Sequence, residues 1–256
     1  MLAHRVIPAL LLRNDGLVKT LKFKDPKYVG DPINAIRIFN EKEVDELMVL
    51  DIMASKDRRE PNYSLIEQIA GECFMPLAYG GGVRTVEQAK RIFSLGVEKV
   101  CIQTAALESP GLVRALSERF GTQSVMVSLD IKKNWLGKQR VLAAAKGKQL
   151  SDPWLVILRS LVSAGAGEVV LNAVDKDGTL TGPDLNLIRE ASKAVEVPLI
   201  AVGGISSLTD IKAAVQAGAS AVAAGAFFVF HGPHRAVLIT YPSSFELSNL
   251  WMKSEK

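Results

Sequence analysis

The chain has 256 residues, of which 48% are hydrophobic and 23% charged, and its formal net charge is +4. This composition allows a large buried core, predicts a cytoplasmic protein and gives no indication of nucleic-acid binding. Cys73 and Cys101 are too few and too isolated for a disulfide framework or a zinc site, so we expect free thiols and no metal.

The chain alternates between short apolar segments and amphipathic ones. The apolar segments predict strands at residues 5–12, 46–52, 75–80, 99–104, 124–130, 168–175, 198–204 and 220–225. The amphipathic segments predict helices at residues 31–44, 62–74, 85–96, 109–121, 152–165, 184–195 and 208–218. Apolar strands separated by helices indicate a parallel sheet that is covered on both faces.

Eight such units favour a single α/β domain, a (β/α)8 TIM barrel over residues 1–240. No GxGxxG motif marks a dinucleotide site, and we expect no cofactor. Residues 241–256 do not follow the barrel pattern and form a C-terminal extension of unassigned role. Trp135 and Trp154 are expected to serve packing rather than recognition.

Two stretches could suggest membrane targeting. Residues 213–230 carry no charge, but Gly218 and Gly225 divide them into a buried helix, a turn and a buried strand. Near the N-terminus, Arg13 and Asp15 follow the apolar run at once, which argues against a signal peptide. We therefore expect no membrane association.

An internal repeat relates the two halves of the chain. At one constant shift, several residues of the first half match the second, in the pairs Gly81–Gly203, Gly82–Gly204, Gly96–Gly218, Val100–Val222 and Glu46–Glu168. A matched block of this kind indicates a barrel built from two half-barrels, each with four strand–helix units.

Glycine-rich turns follow the third and seventh predicted strands, and each turn leads into a helix. Backbone N–H groups at such a turn can bind a phosphate, although tight turns alone would also require glycine. The repeat relates the two turns and favours a ligand with a phosphate at each end. The candidate phosphate-binding residues are Gly81, Gly82, Thr104, Gly203, Gly204, Gly225 and Ala226, with Lys19 in a position to close over one phosphate.

Asp130 ends the fifth predicted strand, after an apolar run. A carboxylate at this end of a barrel strand suits general acid–base catalysis. The alternatives are a helix cap or an ion pair with Lys132.

Six segments, MLAHRVIP, GDPINA, DELMVLDIMAS, GGGVRTVEQA, GAGEVVLNAVDKDGT and AVGGISSL, resemble the cyclase subunit of imidazole glycerol phosphate synthase. The resemblance runs from residue 1 to about residue 230. It implies a barrel that receives ammonia from a separate glutaminase subunit and cyclises a bisphosphorylated ribonucleotide.

The resemblance implies two catalytic carboxylates, at the ends of the first and fifth strands. Asp130 matches the second, but Leu11 stands in the place of the first, so cyclase activity is in doubt. Gln103 replaces an Asn of the family pattern, and Asn172 replaces a small hydroxyl residue. Other residues of the substrate pocket remain, namely Asp51, Asp175 and Asp177.

Four charged residues stand at strand starts, namely Arg5, Glu46, Lys99 and Glu168. In the family, the matching residues form a salt-bridged ring that gates the entry of ammonia into the barrel. Charges at strand starts also occur for solubility alone, but all four together favour a conduit.

Residues 17–47 and 227–242 resemble more closely a paralogous branch, found beside a glutaminase and an ATP-dependent amidotransferase of surface-polysaccharide pathways. That branch helps to convert an acetamido sugar into an acetamidino sugar. The leading hypothesis is therefore a subunit that binds a glutaminase and channels ammonia for sugar amidination. The alternatives are a functional cyclase of histidine biosynthesis and a non-catalytic scaffold of the amidotransferase complex.

Overall fold

The computed structural model describes residues 4–232 and 234–252. In chain order, the described strands are β1 (Arg5–Arg13), β2 (Gly16–Leu21), β3 (Lys24–Gly30), β4 (Leu47–Asp51), β5 (Leu77–Gly80), β6 (Lys99–Ile102), β7 (Val125–Lys133), β8 (Gln139–Ala143), β9 (Lys148–Gln149), β10 (Glu168–Ala173), β11 (Leu199–Val202), β12 (Ala221–Ala224), β13 (Phe230–His231) and β14 (Ala236–Val237).

The described helices alternate with these strands. They are α1 (Pro32–Glu41), α2 (Tyr63–Glu72), α3 (Val86–Ser94), α4 (Thr104–Glu108), α5 (Pro110–Phe120), α6 (Trp154–Ser163), α7 (Leu185–Ser192), α8 (Leu208–Gln216), α9 (Ala226–Val229) and α10 (Ser244–Met252). Polar caps explain several of the starts. Thr85 and Gln88, for example, form a reciprocal capping box at α3.

Eight parallel strands close into a barrel in the order β1, β4, β5, β6, β7, β10, β11 and β12. The last of them, β12, returns to β1, where Arg5 pairs with Ala221. The predicted (β/α)8 barrel is confirmed. The short helices α4 and α9 follow β6 and β12, which are equivalent strands of the two predicted halves.

The core has two layers, because alternate residues of each strand face opposite sides. The larger layer lies between strands and helices and includes Phe39, Leu158 and Phe228. The smaller layer fills the barrel bore with apolar side chains, among them Ile7, Met48, Met126 and Ile200.

Two antiparallel additions rise from the carboxyl ends of the barrel strands, here called the upper face. The hairpin of β2 and β3 extends β1, and β8 pairs with the end of β7. Asp177 fixes the first hairpin, because it accepts hydrogen bonds from Thr20 Oγ1 at 2.9 Å and Phe23 N at 3.3 Å. The apolar periodicity of the sequence does not predict either addition.

The C-terminal segment packs on the barrel. Leu247, Leu250 and Trp251 contact the core, and the Tyr241 hydroxyl donates to Val6 O at 2.8 Å. The Trp251 ring lies 5.1 Å from the ring of His4. The described residues of this segment thus share the barrel's core, whereas the division at residue 240 stays a prediction.

The two tryptophans differ. Trp154 is buried at the start of α6, as expected. Trp135 is 90% exposed, so the expectation that it serves packing is wrong. The reason is its position at the tip of the β7–β8 hairpin, where the backbone turns away from the core.

Candidate functional site

Inward-facing residues at the ends of the barrel strands form the upper mouth of the bore. Leu11 continues the inward series of Ile7 and Ala9 on β1, and its register partner on β4 is Leu50. Both leucines are half-buried. At these two positions the mouth is therefore apolar, and neither side chain can transfer a proton.

The opposite side carries Asp130, at the upper end of β7. Gln103 Nε2 donates a hydrogen bond to Asp130 Oδ2, while Gln103 Oε1 accepts from Ala144 N at 3.2 Å. Burial raises the pKa of Asp130 to about 7, although hydrogen bonds from Gln103 and Asn172 favour the charged form. A carboxyl with such a pKa can exchange protons near neutral pH.

The remaining predicted pocket residues are not all at the mouth. Asn172 pairs with Asp130 in the β10–β7 register, and its Oδ1 atom is buried without a hydrogen-bond partner. Asp175 lies further out and accepts from Lys133 N at 2.8 Å. Asp51 is buried beside the mouth, where it accepts from Met53 N at 2.9 Å and Ala54 N at 3.0 Å. Asp51 therefore holds a loop rather than facing the bore.

The second-half glycine turn borders a cavity. The cavity lies between the ends of β11 and β12, and the residues that line it include Asp177, Gly178, Gly203, Gly204, Gly225 and Ala226. Gly203 and Gly204 have φ angles of +102° and +88°, which favour glycine. The predicted phosphate-binding residues of this half thus converge on one concave site.

Lys19, on the β2–β3 hairpin, lies beside Gly225, one of the residues that line this cavity. Its Nζ atom donates to Ala9 O, and a methyl group added to Gly225 would lie 2.5 Å from Nζ. Burial lowers the pKa of Lys19 to about 8, although the nearby charge of Asp177 works in the opposite direction. A buried amine next to a residue that lines a cavity is suited to an anionic ligand.

The first-half turn packs against the loop that follows β4. Gly82 N donates to Ser55 Oγ at 3.3 Å, and a methyl group added to Gly82 would lie 2.9 Å from Arg59 O. Thr104 begins the short helix α4 beyond the neighbouring strand. Ser55 and Arg59 were not predicted, because contacts between a loop and a turn leave no periodic signal in the sequence.

At the opposite, lower face, the four predicted charges form one network. Lys99 Nζ lies 3.1 Å from both carboxylate oxygens of Glu46 and 3.0 Å from Glu168 Oε2. Arg5 bonds to the same two carboxylates. Burial works to lower the pKa of Arg5, but Glu168 and Glu46 raise it overall. They stand at the starts of the first, second, fourth and sixth strands of the barrel, and together they span the lower mouth.

Above this ring of charges, the bore is lined by apolar side chains, among them Ile7, Met48, Ala78, Met126 and Val170. Apolar walls favour small neutral molecules over ions, because an ion would lose its hydration there. The arrangement thus combines an ionic ring below, an apolar bore and a mouth with one carboxylate above.

Among residues 4–232 and 234–252, no three His, Cys, Asp or Glu side chains come together as they would around a metal ion. Within the same residues, no helix has the length and apolar character needed to cross a membrane.

The closed barrel and its paired glycine turns define a class of (β/α)8 protein, and residues 5–233 match the family described as histidine biosynthesis protein. Within this class, the chain belongs to the family of imidazole glycerol phosphate synthase cyclase subunits. It is 54% identical over 243 residues to a Pseudomonas aeruginosa protein named as subunit hisF2, covering 94% of this chain and 97% of the relative.

Two other relatives agree with this assignment. A Vibrio vulnificus protein named as subunit hisF3 is 50% identical over 248 residues, which cover 96% of this chain and 95% of the relative. The imidazole glycerol phosphate synthase subunit HisF of Streptomyces coelicolor is 38% identical over 229 residues, covering 90% of this chain and 91% of the relative. The resemblance inferred from the sequence motifs is confirmed.

Proposed function

We propose that this protein is the synthase-type subunit of a glutamine amidotransferase complex that passes ammonia through its barrel to an acceptor other than the histidine-pathway ribonucleotide. A glutaminase would bind the lower face. The acceptor would be a surface-polysaccharide sugar, amidinated with the help of an ATP-dependent amidotransferase. The observation that carries the proposal is the pairing of a complete ionic ring below with Leu11 in a catalytic position above.

The lower half of the barrel supports transfer of ammonia. Glu46 and Glu168 are nearly fully buried, and each contacts both Arg5 and Lys99. Burying two carboxylates at the lower mouth is costly unless cations pair with them, as Arg5 and Lys99 do here. Since the bore above them is apolar, a small neutral molecule such as ammonia is the solute that it favours.

The upper half supports the loss of cyclisation. Cyclisation in the family uses two carboxylates, and general acid–base catalysis contributes about 10²–10⁴-fold in rate. Leu11 cannot transfer a proton, and the remaining Asp130 is engaged by Gln103. The chain thus lacks one proton-transfer group, and the other has a hydrogen-bond partner from its own barrel.

The relatives favour the same branch. The relatives from Pseudomonas aeruginosa and Vibrio vulnificus, at 54% and 50% identity, carry the numbered names hisF2 and hisF3. The cavity of the second half, with Lys19 beside Gly225, supports a retained site for a phosphorylated ligand.

Two assays test the proposal. We expect the protein to increase the glutamine hydrolysis of its glutaminase partner, and we expect it not to restore growth of a strain that lacks the histidine cyclase. A HisF such as that of Streptomyces coelicolor serves as the positive control for growth. Restored growth would instead support the second candidate, a functional cyclase, and absence of glutaminase activation would refute ammonia transfer.

A further inference from the structure

The tip of the β7–β8 hairpin presents two apolar side chains to solvent at the upper face. Trp135 is 90% exposed and Leu136 is 57% exposed. Exposed tryptophan is costly to leave in water and is enriched at the centres of protein interfaces. Neither side chain contributes to the core of the barrel.

The tip is ordered by its own hydrogen bonds. Asn134 Oδ1 accepts from Leu136 N at 3.0 Å and from Lys138 N at 2.9 Å, and Asn134 O accepts from Gly137 N at 2.9 Å. The hairpin is also tied to the barrel, since Lys133 N donates to Asp175 Oδ2, beyond β10, at 2.8 Å. A preorganised turn loses little conformational freedom when it binds a partner.

The hairpin is strongly basic. Residues 131–149 contain six Lys or Arg and no Asp or Glu, in a chain whose whole net charge is +4. Of these six, Lys146 alone forms a salt bridge among the described residues, with Glu108 at 2.8 Å. An apolar tip on a basic stem fits an apolar pocket that is bordered by carboxylates.

The position of the hairpin connects it with the upper mouth. Strand β7 carries Asp130 and continues into the hairpin, and Ala144 after β8 contacts Gln103. Ammonia that leaves this mouth must reach its acceptor before it is lost to solvent. A protein that receives it therefore has to cover the mouth and contact what stands beside it.

We propose that the Trp135–Leu136 turn is the docking element for the ammonia-accepting, ATP-dependent amidotransferase, which receives the turn in an apolar pocket with an acidic rim. This inference rests on the proposed function and adds the place of contact. It assigns the upper face to the acceptor, while the glutaminase uses the lower face.

A photo-crosslinking experiment tests the contact in cells of the source organism. Trp135→p-benzoylphenylalanine in the full chain is expected to give an adduct that mass spectrometry identifies as an ATP-binding amidotransferase. The same replacement at Val156, which is 55% exposed on α6, is the matched control and should not give it. An adduct with phospholipid, nucleic acid, the glutaminase or a second copy, or no adduct, would overturn the proposal.

A second measurement separates this proposal from the proposed function. Amidination is measured with the purified amidotransferase and glutaminase and increasing amounts of the barrel protein. The double variant Trp135→Ser, Leu136→Ser should require at least about 10-fold more barrel protein than wild type for half-maximal amidination. Glutaminase activation should be unchanged, and Val156→Ser should behave as wild type. If the double variant supports amidination as well as wild type does, only the docking proposal is refuted. If the wild-type barrel fails to activate the glutaminase, the proposed function is refuted.

Discussion

Gln103 and Asp130 are joined by a direct hydrogen bond between neighbouring strands at the upper mouth of the barrel. Ala144 N fixes the orientation of Gln103, because it occupies the amide oxygen and leaves the amide nitrogen to face the carboxylate. Gln103, which the sequence motifs predict to depart from the family pattern, therefore engages the predicted catalytic carboxylate.

This relationship predicts how cyclase activity could be introduced. The double variant Leu11→Asp, Gln103→Asn supplies a carboxylate on β1 and removes the contact that engages Asp130. We expect ribonucleotide turnover about 10²-fold or more above wild type, from the acid–base contribution of the new carboxylate. Chromatographic measurement of the imidazole product checks this. The control Leu11→Asn, Gln103→Asn has the same size without the carboxylate, and equal activity of the two double variants would contradict the prediction.

Asp130 also predicts a pH dependence of stability. Burial raises its pKa to about 7, so the folded protein binds this proton more firmly than the unfolded chain. Between about pH 4, the ordinary value for Asp, and pH 7, this group therefore makes the folded state less stable as pH rises. Asp130→Asn cannot ionise, and we expect its free energy of unfolding relative to wild type to be higher at pH 8 than at pH 5. Urea unfolding of both proteins at both pH values measures this. The same difference in free energy of unfolding at pH 5 and pH 8 would refute the prediction.

The ionic ring predicts a loss of stability and of transfer. Lys99→Ala leaves the buried carboxylates of Glu46 and Glu168 with Arg5 alone, and breaking a buried pair costs about 3–5 kcal/mol. Since the Lys99 side chain is 20% exposed, we expect about 3 kcal/mol in urea unfolding and a changed transfer of glutamine-derived ammonia. Lys90→Ala, on the exposed side of α3, should change stability by less than about 0.5 kcal/mol. Unchanged transfer by Lys99→Ala would favour the scaffold hypothesis.

The second-half glycine turn predicts a ligand effect. Gly203→Ala would place its methyl group 2.7 Å from Ala173 O at a φ of +102°, so the turn must move. We expect the rise in Tm caused by inorganic phosphate in wild type to be lost in this variant. Gly147→Ala is the control, because Gly147 has a φ of +62° and no atom within 4 Å of an added methyl group. A phosphate-dependent rise in Gly203→Ala equal to that in wild type would count against this site.

Much of this architecture could be read from periodicity. The apolar runs predict all eight barrel strands. The charges at strand starts predict residues that come together only in the fold, such as Glu46 and Glu168. The missed features are of a different kind. The β2–β3 hairpin is polar and exposed, with β3 almost wholly on the surface, so no burial pattern marks it.

Side-chain contacts were the hardest to predict. Gln103 and Asp130 could be placed on adjacent strands, but their hydrogen bond depends on side-chain length and on the backbone of Ala144. Trp135 was misassigned because residue type alone favours burial of tryptophan. The neighbouring residues Asn134 and Gly137, which are typical of a turn, were the available signal.

The apolar lining between the two mouths also separates them electrically. Hopping of protons needs an unbroken chain of hydrogen-bonding groups, and the described bore side chains between the ring and Asp130 are mostly apolar. Acidity at the lower face is thus insulated from the carboxylate above. We therefore expect Asp130 to exchange its proton through the upper opening, so that a molecule bound there sets its protonation state.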